Sequence, residues 1–269
     1  MSNDLEKQLT DEHIDSSSNT NPHGIYDDSA TKIVTSDDGA YVYFGNQKFA
    51  RHELMTAFGG TLNPGLAPPT VHKFGNPAPL GLSAFALTTF VLSLINAGAM
   101  GVSKNNVVIG LALFYGGLIQ LLAGMWEMAV ENTFGALALS SYGGFWMSFG
   151  VLSIPWFGIE SSYTDVTELE NAIGFYLLGW TIFTFILCIC TMKSTVMFFS
   201  LFVCLDITFL MLTLGKLAKS PNCDTAGGVF GVITAFIAWY NACAGVFNEN
   251  NSYITFSGIP LPVIGKKRV

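Results

Sequence analysis

The chain has 269 residues, 51% of them hydrophobic and only 12% charged, with a mean hydropathy of +0.47. Soluble domains usually carry about a quarter charged residues, so this composition excludes an ordinary water-soluble globule and points to lipid as the solvent. The formal charge of −7 comes mostly from acidic residues between positions 4 and 53, and no basic patch suggests nucleic acid as a partner.

Residues 1–40 are rich in Ser, Asp and Asn and poor in large apolar side chains, which predicts a disordered acidic tail. The polar start carries no apolar core of a cleavable signal peptide. Residues 41–58 mix aromatics with charges and predict a short strand-like piece and an amphipathic helix at the membrane surface. With the Gly/Pro stretch 59–69, which cannot be regular helix throughout, they form a membrane-proximal segment, 41–75. Apolar stretches then follow at 79–100, 107–128, 133–154, 169–190, 195–216 and 226–247. A bilayer needs about 20 apolar residues per helix, so 76–250 is expected to be an all-α, six-helix transmembrane bundle. Short connections make antiparallel neighbours, and 251–269 forms a short tail.

An even number of spans places both termini on one side. Lys73, Lys193, Lys266, Lys267 and Arg268 fall on that side, and Lys104, Lys216 and Lys219 on the other. The positive-inside rule then puts both termini in the cytosol. Of the five cysteines, four lie in apolar stretches and are expected to be small buried side chains. None has metal-ligand spacing, so no metal or cofactor is expected.

Polar side chains inside lipid are costly unless they face protein or water, so their helical phase is informative. Phe85, Thr89, Ser93 and Asn96 share one face of the first span. Gly116, Gln120, Ala123 and Glu127 do so in the second, and Thr234, Ala238, Asn241 and Gly245 in the sixth. These weakly polar faces fit either a shared pathway or ordinary hydrogen bonding between helices. Glu127 lies near the cytosolic end of its span. Asp206 sits mid-span, groups with Phe202, Phe209 and Thr213, and points away from Leu201. Gly227-x-x-x-Gly231 reads as a close-packing motif.

Before the first span stands Asn76-Pro77-Ala78-Pro79-Leu80-Gly81-Leu82. Asn is a good N-cap and Pro is tolerated in a first turn. The helix start could receive an anion on free N–H groups, or simply be capped. Six spans and Asn-Pro-Ala also suggest aquaporins, but those carry one such motif in each half. Here Asn-Pro occurs at 63–64 and 76–77, both before the first span, and no Arg lies in a span, so that reading is excluded.

The heptapeptide, together with Phe114-Tyr115-Gly116-Gly117, Glu131-Asn132-Thr133-Phe134-Gly135, Ser141-Tyr142-Gly143-Gly144-Phe145-Trp146 and Gly174-Phe175-Tyr176-Leu177-Leu178-Gly179-Trp180, resembles the acetate uptake transporter family over about 72–256. The segments 57–68 and 190–195 resemble its fungal acetate and ammonia-export branch. The resemblance implies a homohexamer of six-helix protomers, each with a pathway for acetate and other small monocarboxylates. It also implies an apolar constriction formed by Phe85, Tyr142 and Leu201.

On this reading the protein is a plasma-membrane transporter taking up acetate with protons, and also propionate, formate or lactate. Asn76, Pro77, Leu80 and Gly81 at the helix entry, with Thr89, Gln120 and Asn241, would bind the substrate, and Glu127 would handle the proton. An ammonia or ammonium exporter and an acetate sensor remain alternatives. No nucleophile–base constellation suggests an enzyme.

Overall fold

The computed structural model describes residues 33–36, 38–44, 46–57, 74–256 and 258–262. The readings for residues 1–32, for the Gly/Pro stretch 59–69, and for Lys73, Lys266, Lys267 and Arg268 lie outside the described residues. The chain divides into two units, Met1–Lys73 and Phe74–Val269.

In the first unit, β1 (Ile33–Thr35), β2 (Tyr41–Phe44) and β3 (Gln47–Ala50) form an antiparallel sheet in that order, followed by α1 (Arg51–Ala57). Ile33 pairs with Phe44, and Tyr41 with Ala50. The expectation of disorder through residue 40 is therefore corrected at its end. The β-branched run Ile33-Val34-Thr35 finds a partner strand rich in aromatics, the side-chain types that suit a pleated surface. Phe44 and Phe49 meet edge to face at 5.7 Å, and the Lys48 ammonium lies 4.0 Å from the centre of the Tyr41 ring. The β1–β2 turn is built on Asp38, whose carboxylate accepts from Ser36 Oγ and from the Ala40 N–H. Those two bonds hold its pKa below the usual carboxylate value.

Among its described residues the second unit holds six helices of 19 to 26 residues: α2 (Ala78–Asn96), α3 (Asn106–Ala129), α4 (Thr133–Leu152), α5 (Val166–Cys190), α6 (Val196–Leu217) and α7 (Pro221–Val246). Five are long and apolar enough to cross a membrane. The exception, α4, has 20 residues, but its Gly, Ser, Tyr and Trp lower its hydropathy. Beyond shifts of up to three residues, as at the start of α5, the helices depart from the expected stretches in three ways. α2 ends at Asn96 rather than 100, because the chain turns through left-handed conformations at Gly98, Met100 and Gly101. α7 starts at Pro221 rather than 226, with proline in its first turn and Asp224 near its positive end. α3 is wound as π-helix from Leu111 to Ile119, which no sequence pattern announced. A Cβ at Gly117 would run into the Ala112 carbonyl oxygen and Met147, so glycine suits the wide turn.

Two kinds of contact hold the bundle together. Where small residues line a helix, backbones approach closely. The face of α7 bearing Gly228, Gly231, Ala235, Ala238, Ala242 and Gly245 recurs at helical spacing. Gly228 meets the backbone of Ser93 and Asn96 on α2, Gly231 meets Ser93, and Gly245 meets Pro79. The expected Gly227–Gly231 motif is thus divided, since Gly227 instead faces Leu212 of α6. Gly124 and Gly143 likewise seat α3 against α4. Elsewhere aromatic rings separate the helices. Tyr142 and Phe145 of α4 pack on Tyr176, Trp180 and Phe183 of α5, and Phe209 of α6 packs on both. The Tyr176 hydroxyl fastens this seam by donating to the Phe145 carbonyl at 3.0 Å, with Ser148 Oγ at 2.7 Å. Where α5 starts and α6 ends, Lys216 pairs with Asp224 at 3.2 Å and Lys219 donates to Thr167 at 3.0 Å, joining α6, α7 and α5. Outward faces carry exposed Phe114, Phe175, Ile182, Phe185 and Phe236, an apolar surface suited to lipid.

Two alanine substitutions separate these effects. Gly179, with nothing within 4 Å of a built Cβ, should accept alanine with a gain of up to about 1 kcal/mol in helix propensity. Gly228→Ala should instead cost about 1–3 kcal/mol, because rigid backbone stands in the way. Thermal unfolding of the purified variants in one detergent will show whether their midpoints move in opposite directions.

Candidate functional site

A cavity of ≈ 80 Å³ lies among α2, α3, α4 and α6. Its wall is almost wholly apolar and includes Phe85, Tyr142, Leu201, Phe202 and Leu205. Phe85, Tyr142 and Leu201 come from three different helices, and each is at most 4% exposed. The Phe85 and Tyr142 rings stand 6.0 Å apart. The Tyr142 hydroxyl lies 2.8 Å from Thr184 Oγ1 on α5. Its polar tip is already partnered there, so Tyr142 offers the cavity chiefly an apolar ring.

Gln120 also lines this wall and is fully buried, yet neither its amide nitrogen nor its amide oxygen has a partner among the described residues. An unmet buried polar group costs about 1–3 kcal/mol. Several other buried polar groups answer this cost locally. Thr88, Thr181, Thr208 and Thr234 each donate to the carbonyl four residues earlier. Gln120 thus presents a donor and an acceptor to an apolar chamber.

One wall residue was not anticipated as a site. Asn132 caps α4 by accepting from the Gly135 N–H at 3.1 Å, and its Nδ2 donates to Glu127 Oε2 at 2.6 Å. Glu127 is 1% exposed, and its other carboxyl oxygen has no partner among the described residues. Gly135 makes the arrangement possible, because a Cβ there would press on both Asn132 and Glu127. The sequence signal was present as an N-cap asparagine shortly after a buried acid, but nothing local showed that it faces a cavity.

The other expected substrate ligands lie elsewhere. Asn76 Oδ1 accepts from the Ala78 N–H, while the Leu80 and Gly81 N–H groups both bond the Pro77 carbonyl. Pro77 and Pro79 have no N–H to give. The helix entry from Asn76 to Gly81 is therefore closed on itself and leaves no first-turn amide for an anion. The Leu80 side chain is 48% exposed, and Gly81 packs on Leu139. Thr89 is buried and its hydroxyl unpartnered among the described residues, but it does not line the cavity. Asn241 donates to Ile237 O at 2.8 Å and lines a second cavity of ≈ 350 Å³. Asp206 lines neither cavity.

Asn132→Ala should remove the cap, worth about 0.5–2 kcal/mol, and also strand Glu127. Its thermal midpoint should fall further than that of Asp165→Ala, which removes only the cap of α5 at the Thr167 N–H. Equal losses in the two variants would mean that Glu127 gains nothing from Asn132.

The model of the GPR1/FUN34/yaaH family matches residues 58–263. Ammonia transport outward protein 2 of Saccharomyces cerevisiae is 60% identical over 237 residues, covering 87% of this chain and 84% of that protein. Acetate permease A of Emericella nidulans is 50% identical over 232 residues, covering 81% and 78%. Among solved structures, the bacterial acetate channel SatP matches with a TM-score of 0.60 and 33% identity, covering 72% of this chain and all of that one.

Proposed function

The chain belongs to the GPR1/FUN34/yaaH family, and on that premise we propose that acetate crosses the membrane through the cavity of Phe85, Tyr142 and Leu201, accompanied by a proton. It is a multi-pass membrane protein whose function is transport of acetate or ammonia. The observation that carries the acetate reading is Gln120, an unpartnered amide in an otherwise apolar wall. The methyl group of acetate suits that wall. Its carboxyl group suits the amide, and the undissociated acid suits it best. An acetate ion can only accept from Nε2, whereas acetic acid can also donate to Oε1, satisfying both unmet atoms at once. Entry of a neutral acid also avoids placing an unpaired charge in an apolar chamber. Glu127, buried beside the cavity-wall Asn132, is the group that would take up or release the proton. The six helices would each span a plasma membrane, with both termini in the cytosol, and protomers would assemble as a homohexamer. Propionate, formate and lactate would compete for the same chamber.

Ammonia export is the second reading, favoured by the 60% identical relative named for it. Ammonia is both donor and acceptor and would satisfy Gln120 equally.

Labelled acetate uptake into liposomes holding the purified protein separates the two. An inward proton gradient should accelerate acetate entry, and Gln120→Leu, which keeps the wall but removes the amide, should slow it about tenfold for a lost contact of about 1.4 kcal/mol. Leu201→Ala should admit lactate more readily. Methylammonium flux without acetate flux would instead establish ammonia as the cargo. Unaltered selectivity in Leu201→Ala would remove Leu201 from the constriction.

A further inference from the structure

The second cavity has no role in the reading given above. It lies where α6 begins and α7 ends, and Ser194, Thr195, Tyr240, Asn241 and Gly258 help to line it. At ≈ 350 Å³ it is the larger of the two. Its wall includes two hydroxyl-bearing residues, a tyrosine and an asparagine, beside the apolar Met197 and Phe198. Residues of the C-terminal segment form part of it. The Val196 N–H donates to the Ile259 carbonyl at 2.8 Å, and the Leu261 N–H donates to the Ser194 carbonyl at 2.9 Å. These two bonds hold Gly258 against Thr195, where a Cβ would not fit comfortably.

Phe198 lines both cavities, and no other described residue does. It stands one turn before Leu201 on α6. Its ring meets Phe134 at 5.8 Å and Phe202 at 5.4 Å, both of which line the first cavity. Its backbone is fixed as well, since its N–H donates to Thr195 Oγ1 as the cap of α6. The main chain is therefore anchored, while rotation of the ring about its side-chain bonds would join the two chambers. A change of rotamer at Phe198 would leave its backbone in place and would exchange its ring contacts with Phe134 and Phe202.

We infer that the second cavity is the vestibule of the pathway and that Phe198 is the gate between it and the Phe85–Tyr142–Leu201 chamber. This rests on the transport reading for its cargo, but not for its geometry. A small carboxylic acid would meet polar groups first, Asn241 among them. It would then pass the Phe198 ring and reach Gln120. Size selection would occur at two successive apolar points on α6, Phe198 and Leu201. Phe198→Ala should speed acetate flux and admit longer acids such as butyrate several-fold better. Phe198→Trp should slow every substrate while leaving the bundle intact.

The decisive experiment does not need transport. In a variant with all native cysteines replaced, cysteine is introduced at Ala244 in the vestibule or at Ala138 in the inner chamber. Each is exposed to a small, neutral, water-soluble thiol reagent. Ala244→Cys should react whatever stands at 198, and a thermal midpoint close to that of the parent reports that each variant is folded. Ala138→Cys should react slowly with phenylalanine or tryptophan at 198, and many times faster with Phe198→Ala. Equal reactivity of Ala138→Cys in all three backgrounds, or an unreactive Ala244→Cys, would overturn the gate. Gated labelling in a protein that fails to move acetate would uphold the gate and overturn the acetate reading instead.

Discussion

Unequal spacing of the helices creates the site. On one side, glycines of α7 let its backbone approach that of α2, as Gly228 does at Ser93 and Asn96. On the other, the rings of Tyr142, Phe145, Tyr176 and Trp180 stand between α4 and α5. A bundle packed throughout by small residues would close its interior, and one packed throughout by rings would lose the tight van der Waals contact that holds helices together in lipid. The mixture leaves an apolar chamber beside the aromatic seam. Tyr142 belongs to both, wedged among Trp180, Phe183 and Phe209 while its ring also faces Phe85. The same packing that rigidifies the seam therefore sets the width of the chamber.

A second constraint decides which polar groups are free to act. Without water, each donor and acceptor in the bundle must find a partner in the chain. The threonines do so along their own helices, and Asn241 does so at Ile237. Asn76, Ala78, Leu80 and Gly81 close the entry to α2 among themselves. After these local pairings, few side chains among the described residues remain with unmet capacity, and of those only Gln120 lines the small chamber. The corner joining α3 and α4 follows the same logic at higher stakes. A buried carboxylate is tolerated where an amide donor meets it, and Asn132 supplies that donor while its oxygen caps α4.

Legibility differed from element to element. Five of the apolar stretches could be read because lipid demands about 20 apolar residues whatever the neighbours are, and the largest shifts of helix limits came where glycine or proline chemistry intervened, while α5 began early at its Asp165 cap. The convergence of Phe85, Tyr142 and Leu201 was carried by ordered sequence segments resembling a family rather than by their spacing, since they lie on three helices. Most members of the polar stripes are buried, Asn96, Asn241 and Gly245 excepted, but phase cannot distinguish a hydroxyl satisfied by its own helix from one left open. The Asn-Pro entry looked like an anion cradle for that reason, because which amides are free depends on how the first turn closes.

The chain by itself determined its lipid solvent, the places of most of its apolar segments, and its family, because hydropathy and ordered motifs are local properties. Only the tertiary structure decided that the Gly227–Gly231 pair faces two different helices, that α3 winds into a π-helix at Gly117, and that Gln120 stays unpaired while Asn132 does not. Only the fold could place Phe198 on the wall of both cavities. Each of these depends on which surface lies opposite, and a helix's own sequence does not contain that information.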